Sequence, residues 1–204
     1  MAKKINWEER VDIKARISKK TDEELVELTL ADQDYFLYII KRYEDKLSRY
    51  IRRISNIPHE DAEDVLQEVF IKVYYKLNDF DRDLKFSSWI YRIAHNQVVS
   101  NYRKLKIRPQ RIDLDPNNDL IENLVADLDI ETEVDQIYLR KKIFQILNQL
   151  DDKNKEILVL KFLEEKNYRE ISDILKKPMG TVGTLITKAK KQFKEELEKL
   201  KVNF

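Results

Sequence analysis

Only two of the 204 residues are glycine, Gly180 and Gly183, and both fall in one short segment near the C-terminus. A chain so short of the residue that serves left-handed turns and bulges, and 38% charged, is expected to be all-α. The glycine-bearing segment, residues 167–191, divides into a short amphipathic helix, a tight turn and a second helix with a basic far end. Asn167 can cap the first helix while Glu170, three residues on, reaches back to the cap amide. Ile171, Ile174 and Leu175 form its inward face. Pro178 suits the opening of the next helix, where a missing N–H costs nothing. Val182, Ile186, Ala189, Phe193, Leu197 and Leu200 then recur every three or four residues as one buried stripe. Thr181, Thr184, Thr187, Lys188 and Lys191 fall mostly on the other side. This is the pattern of a helix-turn-helix, whose hydroxyl-and-lysine face suits base edges and phosphates. A helical hairpin with a solvated charged face fits the same pattern.

The formal charge of +1 hides a segregation. From Ile112 to Gln136 there are nine acidic residues and no Lys or Arg; from Ile137 onward Lys and Arg outnumber Asp and Glu by sixteen to ten. Such asymmetry suggests a basic nucleic-acid module beside an acidic tether. The absence of cysteine excludes disulfides, thiolate catalysis and cysteine-ligated zinc. His59 and His95 are far apart, and there is no glycine-rich phosphate loop or nucleophile elbow. No metal, cofactor or catalytic constellation is expected, so the chain does not read as an enzyme. No apolar run approaches the length of a membrane span and there is no signal-peptide core, so the expected compartment is the cytoplasm.

Four prolines punctuate the chain. Pro58 precedes a helix, Pro109 and Pro116 lie in a linker, and Pro178 opens the second helix of the C-terminal pair. Residues 1–20 read equally as a helix or a frayed extension. Thr21 with Glu24 is a capping box, followed by Leu25, Val26 and Leu28. A longer helix is expected from Asp32 to Ser55, its stripe being Phe36, Ile39, Ile40, Tyr43, Leu47, Tyr50 and Ile54. The helix from Asp61 to Leu77 has Leu66, Val69, Phe70, Val73 and Leu77 as its core stripe. Asp64, Glu68, Ile71 and Tyr75 stand opposite. Two apolar residues on a face that should be wet mark a partner site or scattered surface hydrophobics; the helix alone does not separate these.

A polar loop with two aromatics, residues 78–86, leads to a helix expected from Ser88 to Lys104 with Ser87 as its cap. That helix carries Trp89, Tyr91, Arg92, His95, Asn96, Asn101, Tyr102, Arg103 and Lys104. Aromatic, basic and amide side chains together suit single-stranded nucleic acid, since bases stack on rings and cations hold phosphates. The alternative is a core role for Trp89 and Tyr91 with a solvated remainder; for Trp89 the core is favoured. Residues 106–133 read as an acidic linker, with a short helical turn at Leu120, Ile121, Leu124 and Val125. Helices from Val134 to Leu150 and from Asp152 to Leu163 complete the expectation.

The stretch from Thr21 to Leu197 resembles bacterial sigma factors of the extracytoplasmic-function subfamily. The N-terminal likeness lies in Asp61-Ala-Glu-Asp-Val-Leu-Gln-Glu-Val-Phe70 and in Phe86-Ser-Ser-Trp-Ile-Tyr-Arg-Ile-Ala-His-Asn96. The C-terminal likeness lies in Tyr168-Arg-Glu-Ile-Ser172 and Pro178-Met-Gly-Thr-Val182. The resemblance implies an N-terminal extension (1–20), a region 2-like domain (21–105), the acidic linker (106–133) and a region 4-like domain (134–204). It implies binding to core RNA polymerase, at the beta-prime clamp helices and the beta flap. It implies promoter DNA as the other partner, and it leaves a place for an anti-sigma factor. The polymerase contacts would be Asp61, Asp64, Gln67, Glu68, Ile71 and Tyr75. The minus-ten element would meet Phe80, Lys85, Phe86, Trp89, Arg92, His95, Asn96 and Arg103. A flipped base would enter the 78–86 loop, whose walls repay the few kcal/mol of unstacking. The minus-thirty-five element would meet Arg169, Thr181, Thr184, Thr187, Lys188 and Lys191. The linker would thread toward the RNA exit path.

The chain departs from the family pattern in places. Lys176 stands where the turn glycine is usual, so a lysine is expected in the left-handed region at about 1 kcal/mol. Gly183 and Leu185 replace frequent cations of the recognition helix, and Ser100 replaces a frequent acid. Two other functions fit parts of the sequence. A helix-turn-helix regulator without polymerase contact gives the Ile71/Tyr75 face no role, and a protein-binding helical adaptor has no salt-dependent affinity for DNA.

Overall fold

The computed structural model describes residues 17, 19–55, 57–105 and 136–199, with the backbone alone for 103–105 and 136–141. The 106–133 linker, its short turn at Leu120–Val125, nearly all of the N-terminal extension, Leu200 and the side chain of Arg103 lie outside the described residues. Eight α-helices make up the fold among the described residues: α1 (Asp22–Ala31), α2 (Phe36–Ser55), α3 (His59–Lys76), α4 (Phe86–Leu105), α5 (Gln136–Gln149), α6 (Asp152–Leu158), α7 (Tyr168–Leu175) and α8 (Met179–Lys199). The all-α expectation holds.

In the N-terminal half, α2, α3 and α4 pack on one another with α1 across them. The capping box at α1 is formed: Thr21 Oγ1 accepts from the Glu24 amide at 3.1 Å, and Glu24 Oε2 accepts from the Thr21 amide at 2.8 Å. Tyr43, Leu47, Tyr50 and Ile54 of α2 are buried against Val65, Val69 and Val73 of α3 and Phe86, Ile90 and Ala94 of α4. The expected stripe of α3 is wholly inside, and α2 adds Ile51, whereas Phe36 and Ile40 are only half-buried.

Three helix boundaries differ from the expectation. Residues Gln33–Tyr35 form a 3-10 turn before α2. Helix α4 begins at Phe86, so Ser87 is not its cap: the Phe86 amide donates to Glu23 Oε1 of α1 at 3.2 Å, a tertiary cap that local sequence does not display. The helix expected from Asp152 to Leu163 changes pitch at Val159 into a wider π turn, which closes with the Glu164 amide on the Val159 carbonyl at 2.9 Å.

In the C-terminal half, α8 lies against α5, α6 and α7. Neither glycine has a positive φ; among the described residues that conformation falls to Glu165 (52°) and Lys176 (53°). Lys176 is thus the left-handed residue of the helix-turn-helix, as the family resemblance implied. The two halves also touch, chiefly α4 on α7 and α2 on α6.

Candidate nucleic-acid and partner interfaces

The helix-turn-helix is built by its caps. Asn167 Oδ1 accepts from the Glu170 amide and Glu170 Oε2 from the Asn167 amide, both at 2.9 Å. Ser172 Oγ donates to the Lys177 carbonyl at 2.5 Å and ties the turn down. Ile171 and Ile174 are buried against the stripe Val182, Ile186, Ala189 and Phe193 of α8. Thr181, Thr184, Thr187, Lys188 and Lys191 all lie exposed, and so does Arg169 on α7. Thr184 and Thr187 donate their hydroxyls to the Gly180 and Gly183 carbonyls, each at 3.1 Å. Back-bonding of this kind fixes the hydroxyl proton inward, which leaves an acceptor lone pair and a methyl on each threonine for an outside ligand. A Cβ on Gly183 would rest 3.6 Å from the Tyr168 ring, an ordinary contact, and one on Gly180 would meet open space. Neither glycine is forced by the backbone. Tyr168 and Met179, the first residues of α7 and α8, are also exposed.

The outer face of α3 carries Asp61, Asp64, Gln67 and Glu68, all exposed. Ile71 is 55% exposed and Tyr75 77% exposed, one turn apart. Edge contacts from Phe36 to Tyr74 (5.1 Å between centroids) and from Tyr74 to Tyr75 (5.7 Å) brace Tyr75. Glu68 differs from its neighbours, because it accepts a hydrogen bond from the buried Gln97 of α4, which in turn accepts one from Lys72. Gln97 is a polar link between α3 and α4 that the sequence did not single out.

The loop before α4 needs a correction. Phe80 and Phe86, expected at the minus-ten element as loop aromatics, are buried, and so is Trp89, for which the core was the favoured reading. Their rings meet one another at 5.4–5.6 Å and Tyr43 adds an edge contact on Phe86 at 5.7 Å. Aromatic area of this size is worth more in a core than in water, so these rings support the loop from beneath rather than face a ligand in this conformation. Lys85 and Asn96 are exposed, and Arg92 and His95 are half-buried.

Lys85 and His95 already have partners, and both partners belong to the C-terminal half. Lys85 Nζ lies 2.9 Å from Glu170 Oε1, and His95 Nδ1 lies 2.6 Å from Glu156 Oε1. Tyr50 donates to the same Glu156 oxygen at 2.6 Å. Glu164 accepts from Arg53 at 2.7 Å and from Tyr91 at 2.6 Å. Burial pushes the Glu164 carboxyl up, against the pull of Arg53 and the Tyr91 hydroxyl. Burial, then the Glu156 charge, drives the Tyr50 hydroxyl well above the ordinary phenol range. Burial raises Glu170 too, but the Asn167 amide and Lys85 outweigh it and hold the carboxyl below its usual range. Arg169 shares with Lys85, Glu170, Asp83 and Asp173 a cleft of about 260 Å³ at the seam. Among the described residues no cluster of His, Cys, Asp or Glu is arranged to hold a metal, and no helix is long and apolar enough to cross a membrane.

Comparison with known proteins agrees with this architecture. The Sigma-70 region 2 family matches residues 39–107 and Sigma-70 region 4 matches residues 140–193. The ECF RNA polymerase sigma factor SigW of Bacillus subtilis is 35% identical over 173 residues, spanning 83% of this chain and 92% of that protein. The ECF RNA polymerase sigma-E factor of Escherichia coli K12 is 30% identical over 185 residues, spanning 88% and 96%. In fold, the chain is similar to CnrH in its complex with the cytosolic domain of CnrY (TM-score 0.64, 23% identity, 88% of this chain and 98% of that one). It is similar also to the sigma factor RpoE of Bartonella quintana in complex with the anti-sigma factor NepR (TM-score 0.62, 19% identity, 83% and 98%). A capped helix-turn-helix and a separate helical half with an outward apolar face, matched along most of the chain by these relatives, place it in a family of promoter-recognition factors: the chain belongs to the extracytoplasmic-function sigma factors, which bind core RNA polymerase and direct it to promoters.

Proposed function

We propose that this sigma factor divides its work between its two halves, taken as residues 21–105 and 134–204 with the 106–133 linker between them. The outer face of α3 docks on the beta-prime clamp helices, with Ile71 and Tyr75 as apolar anchors and Asp61, Asp64, Gln67 and Glu68 as the polar rim. Helix α4 and the 78–86 loop hold the non-template strand of the minus-ten element, through Lys85, Arg92, His95, Asn96 and Arg103. Phe80, Phe86 and Trp89 keep that loop in shape. Helix α8 enters the major groove of the minus-thirty-five element, with Thr181, Thr184 and Lys188 at base edges and Arg169, Thr187 and Lys191 toward the backbone. The factor itself catalyses nothing; it works by binding in the cytoplasm, where polymerase is. An anti-sigma factor is a further partner, a reading supported by the two fold neighbours that are complexes with other chains, one of them named as an anti-sigma complex.

The observation that carries the polymerase reading is the exposure of Ile71 and Tyr75 opposite a complete core stripe. A regulator that never met polymerase would have no use for that face. The test is core-polymerase binding and run-off transcription by the Ile71→Ala/Tyr75→Ala variant. Binding should weaken at least about tenfold, the loss expected when buried interface anchors are truncated, while the melting temperature stays within the small range of surface changes. Unchanged binding would place the polymerase contact elsewhere than on the outer face of α3.

A further inference from the structure

We propose that Gln97 of α4 is a positioning residue for polymerase docking: its buried amide stands between Glu68 and Lys72 and holds the Glu68 carboxylate outward for a cation of the polymerase. The inference rests on the docking face proposed above and adds to it a residue on the neighbouring helix.

Spacing is the first argument. Glu68 and Lys72 stand one turn apart on α3, and Glu before Lys at that interval is the favoured order for a direct ion pair along a helix. The fold interposes a third group. Gln97 Nε2 donates to Glu68 Oε2, and Lys72 Nζ donates to Gln97 Oε1. The second amide hydrogen goes to Asn101 Oδ1 at 3.3 Å. The two charges fix which way the amide points, since the opposite orientation would set its hydrogens against an ammonium and its oxygen against a carboxylate.

Burial is the second argument. Gln97 is 1% exposed where α4 packs on α3, whereas Glu68 and Lys72 are exposed. An apolar side chain of similar length would fill the same space with no amide to satisfy. A buried polar group contributes less to stability than to the choice of one arrangement. What this amide adds is orientation: it is anchored below the surface and grips the Glu68 carboxylate by one oxygen.

Position is the third. Asp64, Glu68, Ile71 and Tyr75 share one face of α3, and Lys72 borders it on the side of α4. Asp61, Asp64 and Glu68 make that face acidic, so the complementary partner surface is basic. A Glu68 closed on Lys72 would be neutralised and drawn off the face. With the amide between them, Gln97 takes Oε2 and leaves Oε1 for an outside donor.

The test is equilibrium binding of the full chain to core polymerase, at low and at high salt, for Gln97→Met, Lys72→Met and the double variant. Gln97→Met should bind about fivefold more weakly, the scale of a charge contact at a surface, and the loss should shrink as salt screens it. Its melting temperature should stay near the wild type, because Glu68 and Lys72 are exposed and close on each other. Lys72→Met alone should bind within about twofold of the wild type. The double variant should regain wild-type affinity, since the carboxylate has lost the ammonium on which it closed. A merely structural Gln97 would gain nothing from that second change. Gln97→Asn, an amide one carbon too short to reach both side chains, is measured alongside, with the same loss and the same rescue expected, so that a packing fault peculiar to methionine does not decide the outcome. Wild-type affinity in both Gln97 variants overturns the proposal, as does a loss that Lys72→Met leaves in place. Ile71→Ala/Tyr75→Ala in the same assay separates the two claims. If it too binds like the wild type, the docking face itself is refuted; if it binds weakly while the Gln97 variants do not, only the positioning role falls.

Discussion

Thr181, Thr184, Thr187, Lys188 and Lys191 of α8 are exposed on the face opposite a buried stripe, whereas Tyr91 and His95 of α4 lie between their own core and the other half of the molecule. Both helices are proposed to touch DNA, yet they meet the same demand in different ways. In α8 one helical period separates core from ligand face: the stripe packs on α5, α6 and α7 and leaves the opposite side exposed. In α4 nearly every face is used: Phe86, Ile90 and Ala94 go to the core, Gln97 to α3, and Tyr91 and His95 to carboxylates of the C-terminal half. A duplex reader can be a stable exposed surface. A single-strand reader with aromatic and polar walls is costly to leave wet, and here it is covered.

That contrast can be broken most forcefully at Phe86. The ring is fully buried beneath the loop, so Phe86→Ala should cost about 3–5 kcal/mol by cavity formation. Urea denaturation should register the loss, and single-strand affinity should fall with it. A small change in stability would mean that the ring is a ligand contact after all, and the two halves would be more alike than described.

A smaller effect comes from the C-terminal half. Lys155 is buried, with Nζ 2.9 Å from Asn148 Oδ1, and burial pushes its ammonium down to about 8. Its folded pKa lies below its unfolded value, so the unfolded chain holds more protons between the two. Stability therefore rises with pH through that window, and the cost of the buried charge is fully present below it. Between pH 7 and pH 9 the gain should be about 1 kcal/mol. Lys155→Met should lessen that slope in a denaturation series, and an unaltered slope would place the titrating group elsewhere.

The smallest effect sharpens the duplex side of the comparison. Lys191 is exposed near the middle of α8, 3.9 Å from Glu195. Lys191→Ala should weaken binding to all minus-thirty-five sequences about equally and lower the salt slope by about one. A change selective for one base pair would make it a base reader.

These differences decided what the sequence could reveal. The capping boxes at Thr21 and Asn167 are local, three residues wide, and both are formed. The stripes of α3 and α8 obey a single period and were legible for the same reason. Lys176 was legible only through the family resemblance, which puts a turn glycine at that position. The start of α4 was not, because its cap is Glu23, more than sixty residues away. The π turn at Val159–Leu163 left no mark in the apolar pattern, which continues through it. Phe80 and Phe86 in a polar loop looked like ligand contacts because a loop aromatic carries no period to show which way it faces. Glu170 read only as a capping-box residue, and nothing local marks Glu156 or Glu164; their contacts with Lys85, His95 and Arg53 depend on how the two halves meet.

The division of labour is the central claim, and one experiment reaches it directly. Run-off transcription with core polymerase would be measured on a promoter library randomised at both elements, for the wild type, Thr184→Ala and Asn96→Ala. The account predicts that Thr184→Ala changes preference at one minus-thirty-five base pair, by roughly 1–3 kcal/mol, and leaves minus-ten preference untouched. It predicts that Asn96→Ala changes only the minus-ten element. Preferences that shift at both elements for either variant, or that shift at the element assigned to the other half, would contradict it.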